Sequence, residues 1–211
     1  MRITKYGHAC LFIEEGEAHI LIDPGAYSHG FEGLTTVGAI FITHQHSDHL
    51  EIGNIRPLLA KNPTAKVYSD EESAVTLSGQ GVPTQVVRAG DVFDVAGVQI
   101  QAIGTKHALI HVDVPRPANV GYIIAGRFFY PGDNFTNPER PIEILAAPAG
   151  APWLKVGEVV DYIRLLKPKI AIPVHDAVLA IPEMNYGLMT RLTQKQGIEV
   201  RVVPNGESIE V

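Results

Sequence analysis

Short apolar runs broken by turn residues dominate the chain, and helical periodicity enters only between them. Residues 1–5 read as a strand, and runs 9–13 and 19–22 read as paired strands joined through Glu14-Glu15-Gly16-Glu17. A further apolar run, Ala39-Ile40-Phe41-Ile42, follows a loop of small and aromatic residues. Residues 50–60 have the pattern of a helix, although Pro57 should disturb its hydrogen-bond ladder. A strand at 65–68 leads to Asp70-Glu71-Glu72, acidic as the first turn of a helix prefers, and that helix should close near Gly79. Strands are expected at 86–88, 92–95 and 98–104, separated by Gly-Asp and Ala-Gly turns.

The second part of the chain repeats the order of elements without repeating the sequence. Residues 120–125 and 127–130 form a hairpin around Gly126, and 142–147 is another strand. An amphipathic helix at 156–166 is stopped by Lys167-Pro168, a strand at 170–174 ends at His175, and a helix at 182–196 closes on Gly197 before a last strand at 198–203. Strands followed by helix, strand and helix, twice over, predict an α/β protein with strands inside and helices outside. No Ser/Gly-rich or Pro-rich linker divides the 211 residues, so a single domain over 1–211 is expected.

Charge and composition narrow the partners. Seventeen basic against 23 acidic residues give a formal charge of −6 with no run of Lys or Arg, so nucleic acid is not the expected partner. No stretch approaches the roughly 20 apolar residues of a membrane span, and the first residues lack the apolar segment of a secretory signal. The single cysteine, Cys10, permits no internal disulfide; between Ala9 and Leu11-Phe12 it reads as a small buried apolar residue. These features suit a cytoplasmic protein, and none of them fixes an oligomeric state. No G-x-x-x-x-G-K-[ST] phosphate loop is present.

The candidate chemistry begins where the third apolar run ends. Thr43-His44-Gln45-His46-Ser47-Asp48-His49 places three imidazoles and a carboxylate in seven residues, a composition that folding alone does not require. In extended backbone His44 and His46 project to one side, and Asp48-His49 lie past the turn, aimed at a neighbouring point. Asp23, Asp133 and His175 each stand at or just past the end of an expected strand, and His107 follows soon after another. Strand ends in a layered fold can meet at one edge, and a zinc ion needs about four His, Cys or carboxylate ligands.

The set His44-x-His46-x-Asp48-His49, a later His, Gly132-Asp133 and Pro173-Val174-His175 resembles the signature of metallo-β-lactamase-fold hydrolases, in order and over nearly the whole chain. The stretches Tyr6-Gly7-His8-Ala9-Cys10 and 167–175 are similar to the branch that contains ascorbate-6-phosphate lactonase, and 108–111, 119–122 and 151–155 to an uncharacterised bacterial subgroup there. The resemblance implies a four-layer αβ/βα sandwich. It implies one metal on His44, His46 and His107, a second on Asp48, His49 and His175, and Asp133 bridging them. It also implies that Asp23 orients a ligand. A dinuclear centre supplies hydroxide near neutral pH and polarises the oxygen of an ester, lactone, amide or phosphodiester. Zinc is the first expectation for the two divalent ions, with manganese or iron as alternatives, since the ligands include no cysteine.

His107 and His111 stand four apart, and either could be the third histidine. Proximity to the preceding strand favours His107, which leaves His111, with Asp48, as a catalytic candidate. His8 serves equally well as a packing residue or beside the site with Asp23, and Asp176 reads first as a helix N-cap. Trp153 is either an apolar wall of the cleft or a packing residue, with Lys155 a candidate anion contact. The resemblance to the lactonase branch implies a small, anionic substrate. The competing readings are a nuclease or phosphodiesterase acting on RNA or DNA, and a metal-binding protein without catalysis.

Overall fold

The computed structural model describes residues 1–211. Its elements, in order, are β1 (Arg2–Lys5), β2 (Leu11–Glu15), β3 (Ala18–Ile22), β4 (Ala39–Ile42), α1 (Ile52–Lys61), β5 (Lys66–Ser69), α2 (Glu71–Gly79) and β6 (Thr84–Val86). There follow β7 (Val92–Val95), β8 (Val98–Ile103), β9 (Gly121–Ile124), β10 (Phe128–Tyr130), β11 (Ile144–Pro148), α3 (Val156–Leu166), β12 (Ile170–Val174), α4 (Pro182–Thr193), β13 (Glu199–Val200) and β14 (Ser208–Glu210). They form two seven-stranded sheets, β14-β1-β2-β3-β4-β5-β6 and β13-β12-β11-β10-β9-β8-β7.

Three apolar layers hold the sandwich together. Alternate residues of the strands, such as Ile20, Ile22 and Phe41 from one sheet and Tyr122, Ile124 and Ile172 from the other, meet in a central core. The opposite faces of the first sheet bury Leu21, Ile40 and Ile42 with Ile55 and Leu58 of α1 and Leu77 of α2. The second sheet does the same with Val159, Val160 and Ile163 of α3 and Met189 of α4. A strand covered on both faces has no polar side, which is why β4 and β11 are apolar throughout. The layers are helix, sheet, sheet, helix.

Most expected elements appear where the pattern put them, and α3 keeps its expected bounds. Helix α1 runs through Pro57. The strand expected at 86–88 lies earlier, at β6, and the helix at 182–196 ends its α-helical part at Thr193, continuing as a 3-10 turn over Gln194–Gln196. The last expected strand contracts to the two residues of β13. Strand β14 was not expected; it closes the first sheet by pairing antiparallel with β1, Ile209 opposite Ile3.

The topology positions the site. Strands β3 to β6 run parallel to one another, as do β10 to β13, so their C-terminal ends share one edge of each sheet. At that edge the sheets are tied together: Tyr122 donates its hydroxyl to the carbonyl of Ile42 (2.9 Å), Val120 its amide to the carbonyl of Thr43 (2.9 Å), and Tyr130 its hydroxyl to the carbonyl of Ala9 (2.6 Å). No helix is long and apolar enough to cross a membrane.

Candidate metal centre

Asp23 follows β3, His44 follows β4, Asp133 stands three residues past β10 and His175 follows β12. Parallel strands bring these ends together, and the loops after β4 and β8 add His46, Asp48, His49 and His107. Two glycines permit the close packing. A Cβ on Gly25 would lie 1.9 Å from the carbonyl oxygen of Asp48, and one on Gly132, at φ +67°, 2.5 Å from Oδ1 of Asn119. Asp23 (φ 47°) and His175 (φ 58°) themselves adopt the left-handed region, a conformation that costs on the order of 1 kcal/mol or more for a residue with a side chain.

One cluster comprises His44, His46 and His107, whose ligand atoms lie within 4.8 Å of one another. Nε2 of His44 and Nδ1 of His46 are 3.0 Å apart. The far side of each buried ring is fixed. Thr43 donates its hydroxyl to Oδ2 of Asp23 (2.7 Å), so its oxygen is free to accept from Nδ1 of His44 at 3.0 Å. Nδ1 of His107 donates to the carbonyl of Ala108 at 2.6 Å. Both rings then carry the proton on Nδ1 and turn the Nε2 lone pair inward.

The second cluster groups His8, Asp48, His49 and His175. Nδ1 of His49 donates to Oδ2 of Asp23 (2.7 Å), and Nδ1 of His175 to the carbonyl of Gly150 (2.6 Å), which again leaves Nε2 inward. Oδ2 of Asp48 lies 3.3 Å from Nε2 of His175 and 3.3 Å from Nε2 of His8. Asp133 sits between the clusters. Its Oδ2 is 3.3 Å from Nε2 of His107 and 3.1 Å from Nε2 of His175, and its Oδ1 is 3.2 Å from Nε2 of His49. Its backbone amide donates to Oδ1 of Asn119 at 3.0 Å.

The donors fit divalent metal. Nε2 of His49, His107 and His175 and Oδ1 of Asp133 are buried without a hydrogen-bond partner, an arrangement that is costly unless a cation satisfies them. Neutral imidazoles and carboxylates without cysteine suit zinc, manganese or iron. Electrostatics adds a distinction. Burial, then the neighbouring His49, holds His44 well below the ordinary imidazole range, and burial with His107 lowers His46. Burial opposes charge on His49 and His175 too, but Asp133 with Asp23 raises His49 well above its ordinary value, and Asp133 with Asp48 raises His175 to about 9. The carboxyls of Asp48 and Asp133, despite burial, are lowered by the surrounding imidazoles. Ligation by His49 and His175 therefore requires release of protons.

The structure thus brings His44, His46, Asp48, His49, His107, Asp133 and His175 to one place, with Asp23 and His8 against them. His111 is not brought in: its ring is exposed, and its Nδ1 accepts from the amide of Asp113 at 3.2 Å. Asp176 caps no helix; α4 starts from Ile181, and Asp176 pairs instead with Lys5 and Tyr186. Lys155 is itself the residue before α3, its amide donating to Glu158 at 2.6 Å.

Two contacts were not foreseen. Trp153 donates Nε1–H to Oδ2 of Asp133 at 2.8 Å while its ring meets Phe135 edge-on at 5.1 Å. Thr43 relays His44 to Asp23. The Trp153 loop was identifiable as overhanging the ligand edge, but nothing local signals an indole N–H aimed at a carboxylate 20 residues away.

Residues 2–175 match the family model described as "Beta-lactamase superfamily domain". The chain is 38% identical to Protein Rv0786c of Mycobacterium tuberculosis, over 99% of each chain. It is 30% identical to a UPF0173 metal-dependent hydrolase of Methanocaldococcus jannaschii, over 99% of this chain and 100% of that one. Among solved structures, Igni18, a metallo hydrolase from the hyperthermophilic archaeon Ignicoccus hospitalis, superposes with a TM-score of 0.77 at 21% identity, over 100% of this chain and 98% of that one. That last likeness concerns the fold alone.

Proposed function

The chain belongs to the β-lactamase superfamily domain family and is a metal-dependent hydrolase of that fold, and on this premise we propose that it works with two divalent ions on a small anionic substrate. The bond cleaved is that of an ester, lactone, amide or phosphodiester, and zinc is the first candidate metal. One observation carries the two-ion reading: the donors gather as His44/His46/His107 and as His8/Asp48/His49/His175, and Asp133 lies between them, grouped with His44 and His49 and close to His107 and His175. Two dications about 3.5–4 Å apart repel, and a shared carboxylate offsets that repulsion.

When bound, such a pair would supply Lewis acidity and make hydroxide available near neutral pH. The chain's own residues do the rest. Asp133, anchored by Asn119 and Trp153, stays fixed between the clusters. Asp48 is the more exposed carboxylate, 19% against 4% for Asp133, so it can accept a hydrogen bond from the attacking water and orient it. His111, exposed and turned to Asp113, is left out of this machinery.

The loop after His107 stands beside the candidate centre at His46. Gln45, His46, Glu72, Arg116 and Pro117 help to line a half-open hollow of about 350 Å³ beside His46, within the range of a small-molecule site. Glu72 and Arg116 offset each other's charge in that hollow, so the two ions are what favour an anionic group. A panel of lactones, esters, amides, phosphodiesters and RNA, assayed with metal-loaded and chelator-treated protein, tests the reading. Chelator-sensitive turnover of a small anionic substrate is expected. Preferential cleavage of RNA would install the nuclease reading, and two bound ions with no turnover on any class would install the binding one.

A further inference from the structure

His8 has no place in either ligand triad, yet it is wholly buried against one of them. It lies in the turn between β1 and β2, where the carbonyl of His8 accepts from the amide of His175 at 2.6 Å and the two rings lie 3.9 Å apart, centre to centre. The amide of Ala177 donates to Nδ1 of His8 at 3.1 Å. A backbone N–H can only donate, so Nδ1 holds the lone pair and the ring proton stands on Nε2. That Nε2 faces Oδ2 of Asp48 at 3.3 Å, and the contact is therefore N–H to carboxylate. The same bookkeeping removes His8 from the ligands, because its one lone pair is already used.

The segment that fixes His8 is itself held from β1. Lys5 and Tyr186 both bond Oδ2 of Asp176 at 2.5 Å, and the Lys5 and Asp176 side chains are nearly buried. His8 stands three positions after Lys5, and Ala177 directly follows Asp176. A closed path results: Lys5 anchors Asp176, Ala177 sets the tautomer of His8, and His8 aims Asp48.

We propose that His8 is a positioning residue of the second half-site, holding Asp48 through Nε2–H while the Lys5–Asp176 pair holds the segment that dictates its tautomer. The inference rests on the two-ion reading. Its reach is local: the His44/His46/His107 cluster makes no recorded hydrogen bond with His8, so metal held there should be indifferent to it.

Cobalt(II) titration of metal-free protein, read by equilibrium dialysis and by visible absorption, tests this on wild type, H8F and H8Q. Phe fills the space without a donor; Gln can place an N–H near the position of Nε2. Wild type is expected to bind two ions. H8F should weaken one of them about 10–100-fold, the usual effect of losing a partner that orients a ligand, and leave the other unchanged. H8Q should restore the weakened ion to near the wild-type affinity with its absorption bands in place. Two ions with unaltered affinities in H8F overturn the assignment alone. Equal loss in H8F and H8Q overturns the donor role in favour of packing, and restored affinity with displaced bands makes His8 a ligand. Fewer than two ions on wild type overturns the two-ion reading and this assignment with it.

Discussion

The two half-sites are built from different materials. One is all imidazole: His44, His46 and His107, with the first two kept neutral chiefly by burial. The other mixes the carboxylate of Asp48 with His49 and His175, whose imidazoles are raised by carboxylates on two sides. Their supports differ as well. His44 and His107 lean on Thr43 and on the carbonyl of Ala108, both adjacent in sequence. Asp48, His49 and His175 lean on His8, Asp23 and Gly150, from three distant segments. The immediate supports of the first half-site are thus local in sequence, although His107 reaches it from the other sheet, whereas those of the second come from three distant segments. Asp133 alone belongs to both.

That asymmetry makes Asp133→Ala the most damaging single change. Both ions should be lost and hydrolysis should fall to background, as metal analysis by plasma mass spectrometry and an activity assay would show; retention of either ion at full affinity would remove Asp133 from its shared role. Asp48→Ala separates the halves. It should abolish hydrolysis with the fold intact by circular dichroism, keep the ion at His44/His46/His107 and lose the other. Wild-type activity with full metal content in that variant would end its assignment as ligand.

Asp23→Ala strikes the support rather than the ligands. Because Asp23 serves His49 directly and His44 through Thr43, metal affinity should drop about 10–100-fold at both half-sites. A loss confined to one would show that the Thr43 relay is idle. Trp153→Phe keeps the ring and removes only the donor to Asp133. A hydrogen bond to a charged group contributes about 1.5 kcal/mol or more, so a loss in kcat on the order of tenfold is expected, and an unchanged kcat would reduce Trp153 to packing.

The gentlest test uses pH. Protonated His175 has its pKa raised from 6.5 to about 9, so its contribution to the metal-free fold is complete below pH 6.5 and disappears as pH rises through about 9. Metal binding runs the other way, because a ligating imidazole must lose its proton. Chelated protein should therefore melt at lower temperature as pH rises across that window, while metal affinity increases. A melting temperature of the chelated form that climbs with pH would contradict the charge assigned to the second half-site.

The same asymmetry decided what the sequence revealed. His44 to His49 lie in one run at the end of an apolar strand, so proximity in sequence stood in for proximity in space. Asp133 and His175 were identifiable because parallel strands share an edge, and each follows an apolar run. What stayed hidden depends on contacts with no local pattern. Strand β14 has a single apolar residue, Ile209, and exists because β1 offers it an open edge. Asp176 looked like a cap because capping chemistry is local, whereas its partner Lys5 is 171 residues away. Proximity to the preceding strand favoured His107 over His111, and the loop's path, which turns His111 outward, keeps His111 from the cluster.

The central claim is that two ions sit on opposite sides of Asp133, and anomalous scattering from crystals of the metal-loaded protein, recorded at the absorption edge of the bound metal, addresses it directly. Two peaks per chain are expected, one enclosed by His44, His46 and His107 and one by Asp48, His49 and His175. A single peak, or density away from these residues, would contradict it.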